Sequence, residues 1–186
     1  MARVKIAGRE DVPAEMREWF DSLLAYGPFG NQIGALANRP TILKHVYGLL
    51  TALREEGVLP RRYLEIALVV VSELNKCDYC VTHHAPMLSV EGISPEGVRT
   101  LLDYESHPEL DETDRLVVEY AKAVTLDHNR VRDAVFERLK AVFSDEQIVE
   151  LTWRIALCGA FNRFNDVLQL EIEEAAEETA RAAKVA

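Results

Sequence analysis

Twelve residues, YLEIALVVVSEL (63–74), constrain the fold of this chain more than any other stretch. The run is apolar on nearly every side, so it needs neighbours all round it. Val69, Val70 and Val71 favour a strand by propensity, but the length fits a helix better. It also falls well short of the ~20 apolar residues that cross a bilayer. A central helix buried by other helices satisfies these demands. Asn75 is placed to end it, since Asn tolerates the left-handed conformation at a helix C-terminus, and a new helix then begins at about Cys77.

The rest of the chain carries helix signals and no Asn-Gly or Asp-Gly hairpin turns. A first helix opens near Pro13, after Asp11, and runs to about Tyr26; the loop GPFGNQIGALANRP follows. A second helix starts at Pro40 and ends near Gly57. Ser94-Pro95 is an N-cap followed by proline at the first helical position, Asp111 with Asp114 opens another helix, and Ser144 with Gln147 fits a capping box. The expectation is an all-α fold of about eight or nine helices in a single domain over residues 1–186, with an acidic C-terminal helix.

Composition narrows the partners. The formal charge of −10, with acids concentrated in EIEEAAEE (171–178), is the reverse of a basic phosphate-binding footprint, so nucleic acid is not expected. No signal-peptide run and no membrane span is present, so a cytoplasmic protein is expected. Structural disulfides are rare in that compartment, which turns attention to the reactivity of the Cys-x-x-Cys in NKCDYCVTHH (75–84).

On a helix, Cys77, Cys80 and His84 are spaced three and four apart and share one face, while His83 lies off it. Spacing of three also brings two Cα atoms within the roughly 4.4–6.8 Å that a disulfide needs. If Cys77 lies in the first turn, unpaired N–H groups and the helix dipole favour its thiolate. Glu65, twelve residues earlier in the apolar helix, is costly to bury unless something holds it. It either relays a proton for the thiols, or pairs with Arg61, Arg62 or the helix dipole and does nothing else. The cysteine pair reads in three ways: redox exchange, metal binding through Cys77, Cys80 and His84, or two core thiols. A structural zinc site wants a fourth ligand and usually a second knuckle, and no second Cys-x-x-Cys or His-x-x-x-His occurs. No metal or cofactor is expected.

A weak internal repeat adds context. An offset of 85 residues lays LEIALVVVSELNKCDYCVTHH (64–84) over VELTWRIALCGAFNRFNDVLQ (149–169). Glu65 meets Glu150, Tyr79 meets Phe164, Cys77 and Cys80 meet Asn162 and Asn165, and His84 meets Gln169. The apolar pattern is kept and the chemistry is lost, as in a duplicated helix-turn-helix unit with one reactive copy (about 40–90) and one degenerate copy (about 130–175). Cys158 is read as a small core residue; His45, His107 and His128 as surface or satisfied positions. Trp19, Trp153, Phe161 and Phe164 are read as packing or pocket-lining, with Phe161 and Phe164 beside the site if the units stack.

Glu65, then Cys77-Asp78-Tyr79-Cys80, then His84 resembles the AhpD-like alkylhydroperoxidases of the carboxymuconolactone decarboxylase superfamily, in its peroxidase-related branch. The likeness runs over roughly residues 15–175 and includes both helical units. It implies an all-α fold, a homo-oligomer (trimer or hexamer), a peroxide substrate and a dithiol or protein reductant. It further implies catalysis by Cys77 and Cys80 cycling through a disulfide, with Glu65 and His84 as proton relay. Tyr79 stands where the AhpD enzymes carry a histidine before the second cysteine, and Tyr79, His83, Phe161 and Phe164 are expected around the pocket. Cys77 is expected to attack first, as the more exposed cysteine of such motifs. Two other functions fit less well: a decarboxylase-like enzyme using Glu65 and His84 without thiol cycling, and a zinc-stabilised oligomeric binding module.

Overall fold

The computed structural model describes residues 1–185, and the side chains of these except Tyr26 and residues 180–185. All regular structure among them is helical: α1 (Arg17–Tyr26), α2 (Gly30–Ala37), α3 (Pro40–Glu56), α4 (Arg61–Asn75), α5 (Asp78–Val90), α6 (Pro95–Arg99), α7 (Glu112–Asp127), α8 (Asp133–Val142), α9 (Asp145–Leu168) and α10 (Glu174–Val185), with four short 3-10 turns. The apolar run becomes α4, and its neighbours α5, α7 and α9 enclose it. Ile66, Ala67, Val69 and Val70 are completely buried. Tertiary burial therefore overrides the strand propensity of the three valines.

The predicted caps form. Ser94 accepts from the Gly97 N–H at 3.0 Å, and Asp111 with Asp114, like Ser144 with Gln147, makes a reciprocal capping box. Arg62, in the first turn of α4, grips Asp114 of α7 through Nε–Oδ1 at 3.0 Å and Nη2–Oδ2 at 2.6 Å. Asp114 is fully buried, so this two-pronged pair ties the start of the central helix to α7.

Three details depart from the sequence expectation. The segment read as a loop, GPFGNQIGALANRP, contains α2, which raises the helix count to ten among the described residues. Burial of Ile33, Ala35, Leu36 and Ala37 outweighs the poor helix propensity of its glycines. Gly34 is required there, because a Cβ would lie 2.5 Å from Ile6 Cγ2 and 2.9 Å from the Ala7 carbonyl oxygen. Ala7 N–H donates to Gly34 O at 3.0 Å, so the N-terminal segment runs directly against this helix.

Second, Lys76 rather than Asn75 adopts the left-handed conformation, at φ 57°. Cys77 N–H reaches back to Ser72 O at 3.0 Å, closing a Schellman-type end that satisfies the last carbonyls of α4. Third, the repeat is asymmetric. α8–α9 follows the α3–α4 turn, but α9 runs straight through the position where Lys76 breaks the first copy into α4 and α5. Gly159 lies within α9 without breaking it, and no residue there turns left-handed before Gln169, whose φ is 52°.

Candidate active site

The Schellman turn leaves Cys77 as the N-cap of α5, in extended conformation and without a side-chain capping bond. Its side chain turns inward, among Ala35, Tyr79, Cys80 and Leu170, and is completely buried. Sequence spacing suggested the opposite, an accessible thiolate held by the helix dipole. The Cys77 thiol instead hydrogen-bonds with Cys80, and that contact together with burial pushes its pKa well above the ordinary cysteine value. Cys77 is a protonated, sheltered sulfhydryl at neutral pH. All three cysteines are free thiols.

Cys80, one turn on, has a different outlook. It lines a cavity of about 500 Å³ together with Glu65 and His84. Phe29, Gln32, Tyr47, Leu64, Leu68 and Phe161 supply other parts of the wall, and Arg54, Arg61, Glu150 and Arg154 the charged parts. His84 Nδ1 lies 2.8 Å from Glu65 Oε2. A carboxylate accepts only, so Nδ1 carries the hydrogen and Nε2 is left with its lone pair. Arg61 Nε stands 3.6 Å from the other Glu65 oxygen. Glu65 thus faces Arg61 through one oxygen and His84 through the other. Arg62, the other candidate partner, is engaged with Asp114 instead.

A second polar cluster sits on the far side of α5, built from residues that spacing alone does not connect. Glu173, just before α10, accepts from Asn31 N–H at 2.7 Å and Tyr79 O–H at 2.9 Å through Oε1, and faces His83 Nε2 at 2.7 Å through Oε2. His83 Nδ1 faces the Tyr79 carbonyl at 2.5 Å. Both ring nitrogens therefore meet acceptors, and full pairing requires the ring to carry both protons. Burial pushes the Glu173 carboxyl up, but the hydrogen bonds from His83 and the Asn31 N–H outweigh it and leave it below its ordinary value. Tyr79, whose pKa is raised by burial and by Glu173, remains a neutral phenol. Phe29 stacks on His83 at 4.8 Å and lies 5.5 Å from His84, separating the two imidazole environments. The acidic stretch 171–178 thus sends its second glutamate, Glu173, inward.

The repeat partners meet in space. Asn165, aligned with Cys80, donates from Nδ2 to Cys80 Sγ at 3.2 Å; Glu150, aligned with Glu65, lines the same cavity. Asn162 accepts from Asn75 Nδ2 at 2.8 Å and so fastens the end of α4. Asn165 and Glu150 were visible in the repeat alignment, whereas nothing in the sequence flagged Gln32, Phe29 or Glu173.

The remaining candidates separate clearly. Phe161 lines the cavity, whereas Phe164 packs against the Cys77–Tyr79 cluster. Trp19 packs in the α1–α3 core, but Trp153 is 49% exposed and is not among the residues that line the cavity. Cys158 is a core thiol pushed up to about 12 by burial, and it also borders the cavity. His107 is buried and bonded to Gly97 O and Glu109 N–H, while His45 and His128 are exposed. Among the described residues no three His, Cys, Asp or Glu side chains converge as a metal cluster, and no helix is long and apolar enough to cross a membrane.

Residues 40–105, which hold Glu65, both cysteines and His84, match the carboxymuconolactone decarboxylase family. The protein YnjA of Escherichia coli K12 is 27% identical over 100 residues, 54% of this chain and 55% of YnjA, so the match spans about half of that relative. An AhpD-core, peroxidase-related protein from Ralstonia eutropha JMP134 superposes with a TM-score of 0.81 at 21% identity, over 97% of this chain and 96% of its own. The debrominase Bmp8, as a cysteine-to-alanine variant with 2,3,4-tribromopyrrole, gives 0.78 at 19% identity, over 98% and 100%. A protein from Agrobacterium tumefaciens named for AhpD antioxidant defence gives 0.66 at 26% identity, over 74% and 94%. The carboxymuconolactone decarboxylase match thus holds the Glu65, Cys77, Cys80 and His84 set, and the chain as a whole shares the all-helical fold of these AhpD-like structures.

Proposed function

We propose that the protein is a thiol-dependent peroxidase whose attacking sulfur is Cys80. The observation that carries this reading is the unequal setting of the two sulfurs: Cys80 borders the cavity beside the His84–Glu65 pair, and Cys77 lies buried behind it with its proton retained. This order is the reverse of the one expected from the motif alone. The Cys80 thiolate attacks the terminal oxygen of a hydroperoxide, the O–O bond breaks, and the alcohol leaves with one proton. Cys80 becomes a sulfenic acid. The Cys77 sulfhydryl then displaces hydroxide from that sulfur, forming the Cys77–Cys80 disulfide and water. An external dithiol or protein reductant returns two electrons and two protons by exchange. His84, oriented by Glu65, accepts the Cys80 proton and delivers it to the leaving oxygen. The largely apolar lining suits organic hydroperoxides. A homo-oligomer, as in the family resemblance, is part of this reading.

Intact-mass analysis after one equivalent of cumene hydroperoxide tests it. The expected result is loss of two thiols and about 2 Da, with the bridge mapped to Cys77–Cys80. Cys77→Ser should trap a sulfenic acid on Cys80, and Cys80→Ser should abolish turnover. Sulfenic acid formed on Cys77 in Cys80→Ser would reverse the assignment, and no thiol loss would refute the cycle. A second reading is favoured by the same cavity, which has room for a substituted aromatic ring. The dithiol would then reduce a carbon–halogen bond, giving the arene, halide, a proton and the disulfide. Bromide release from 2,3,4-tribromopyrrole in the presence of dithiothreitol tests that alternative.

A further inference from the structure

Three buried polar side chains from three helices end in a line on the Cys80 sulfur. Tyr47 O–H of α3 donates to Gln32 Oε1 of α2 at 2.7 Å. Gln32 Nε2 donates to Asn165 Oδ1 of α9 at 3.0 Å. Asn165 Nδ2 then donates to Cys80 Sγ at 3.2 Å. Their exposures are 2%, 4% and 1%, so water does not compete for these bonds.

The direction of the chain is the informative part. An amide presents an acceptor on one side and donors on the other, so each orientation is dictated by the next group outward. A phenol at one end supplies a proton to a carbonyl oxygen. Gln32 then turns its N–H to the Asn165 carbonyl oxygen, and Asn165 turns an N–H, not its carbonyl, to the sulfur. A neutral thiol would be served by the opposite orientation, with its S–H given to Asn165 Oδ1. The arrangement present is the one that complements a negative sulfur, and a charge-assisted bond is about twice as strong as a neutral one. Burying three polar side chains is costly unless each is fully paired.

We propose that Asn165 is a catalytic residue that stabilises the Cys80 thiolate by N–H donation, and that Gln32 and Tyr47 are positioning residues that fix the direction of its amide. This deepens the peroxidase reading, since it rests on Cys80 as the attacking sulfur. Other titratable groups also face Cys80. Cys77 touches it from the N-terminal end of α5 and is itself contacted by Asp166 of α9. His84 with Glu65 borders the cavity on one side, and Arg54, Arg61, Glu150 and Arg154 lie around its wall. The changes at Asn165 and Tyr47 leave each of these residues in the chain, so the variants probe the amide relay with the other charges retained.

The test is the pH dependence of iodoacetamide alkylation at Cys80 in the reduced full-length protein, followed by peptide mass spectrometry, with Tm recorded for each variant. Asn165→Asp keeps the size and the Gln32 bond but replaces the donor with an acceptor. The midpoint should rise by about one to two pH units, with alkylation at pH 7 slowed about 10- to 100-fold. Asn165→Leu should raise it by about one unit. Tyr47→Phe frees Gln32 to turn over and should slow alkylation at pH 7 about 2- to 5-fold, a readout that survives if the Asn165 variants do not fold. A purely structural role would lower Tm and leave the midpoint in place. Unchanged midpoints in the folded variants overturn the proposal. Alkylation needs no peroxide, so a shifted midpoint without peroxide turnover would uphold this role for Asn165 while refuting the peroxidase cycle.

Discussion

Replacing Glu173 separates two kinds of stabilisation that meet at the start of α10. Its carboxylate holds three donors: the Asn31 N–H, the Tyr79 O–H and the His83 Nε2–H. Glu173→Ala removes all three acceptors at once. Charge-assisted bonds contribute about 1.5–3 kcal/mol each, but the Glu173 side chain is 19% exposed, so water can enter and satisfy part of what is lost. The Tyr79 oxygen still accepts from the Gln32 backbone N–H at 3.3 Å, which holds the ring in place but gives its O–H no acceptor. The expected cost is about 3–5 kcal/mol, the range for breaking a partly buried ion pair by removing one partner. Glu173→Gln should cost only about 1 kcal/mol. Its amide oxygen still accepts from Asn31 and Tyr79, and its N–H can be taken by His83 Nε2 once the ring gives its single proton to the Tyr79 carbonyl. Urea unfolding of both variants and the wild type at one protein concentration measures the two costs. The reasoning fails if the alanine variant is no less stable than the glutamine variant.

Other outcomes follow from the same coordinates. The stability advantage of wild type over Glu173→Gln should be fully present above pH 4.5, the ordinary carboxyl value, and should vanish as pH falls through the depressed folded value, because protonation is disfavoured only in the native state; denaturation midpoints across pH 3–7 check the sign. Glu65→Gln should lower peroxide turnover about 10²-fold while leaving Cys80 alkylation intact at high pH, since it disorients the His84 relay and leaves the sulfur in place. Gly34→Ala forces a Cβ into Ile6 and the Ala7 carbonyl and should cost about 1–3 kcal/mol by thermal unfolding. Arg62→Ala leaves the fully buried Asp114 without its cation and should cost about 3–5 kcal/mol, whereas Arg62→Lys restores charge but not the two-pronged geometry and should recover about half.

The site was legible where it depends on helical spacing. Cys80 and His84 fall four residues apart and both open on the cavity, and Glu65 reaches His84 across the single tight turn that joins α4 to α5. Cys77 shows the limit of that reasoning. Spacing placed it on the shared face at a helix start, yet its capping conformation and the packing of Leu170 and Ala35 turn it into the protein. His83 and Tyr79, expected around the pocket, do not line the Cys80 cavity but meet Glu173, which is 90 residues from His83 in a tail that composition describes only as acidic.

By itself the sequence determined the central helix and the capped helix starts of this protein. An apolar run too long for a strand had to become a buried helix, and short capping motifs had to start helices where they occur, because both depend on residues within a few positions of each other. Tertiary structure decided which sulfur meets the cavity, which glutamate turns inward, and the direction in which the Asn165–Gln32–Tyr47 chain donates. Those outcomes arise from groups distant along the chain competing for the same buried hydrogen bonds, and only the packed helices determine which groups pair.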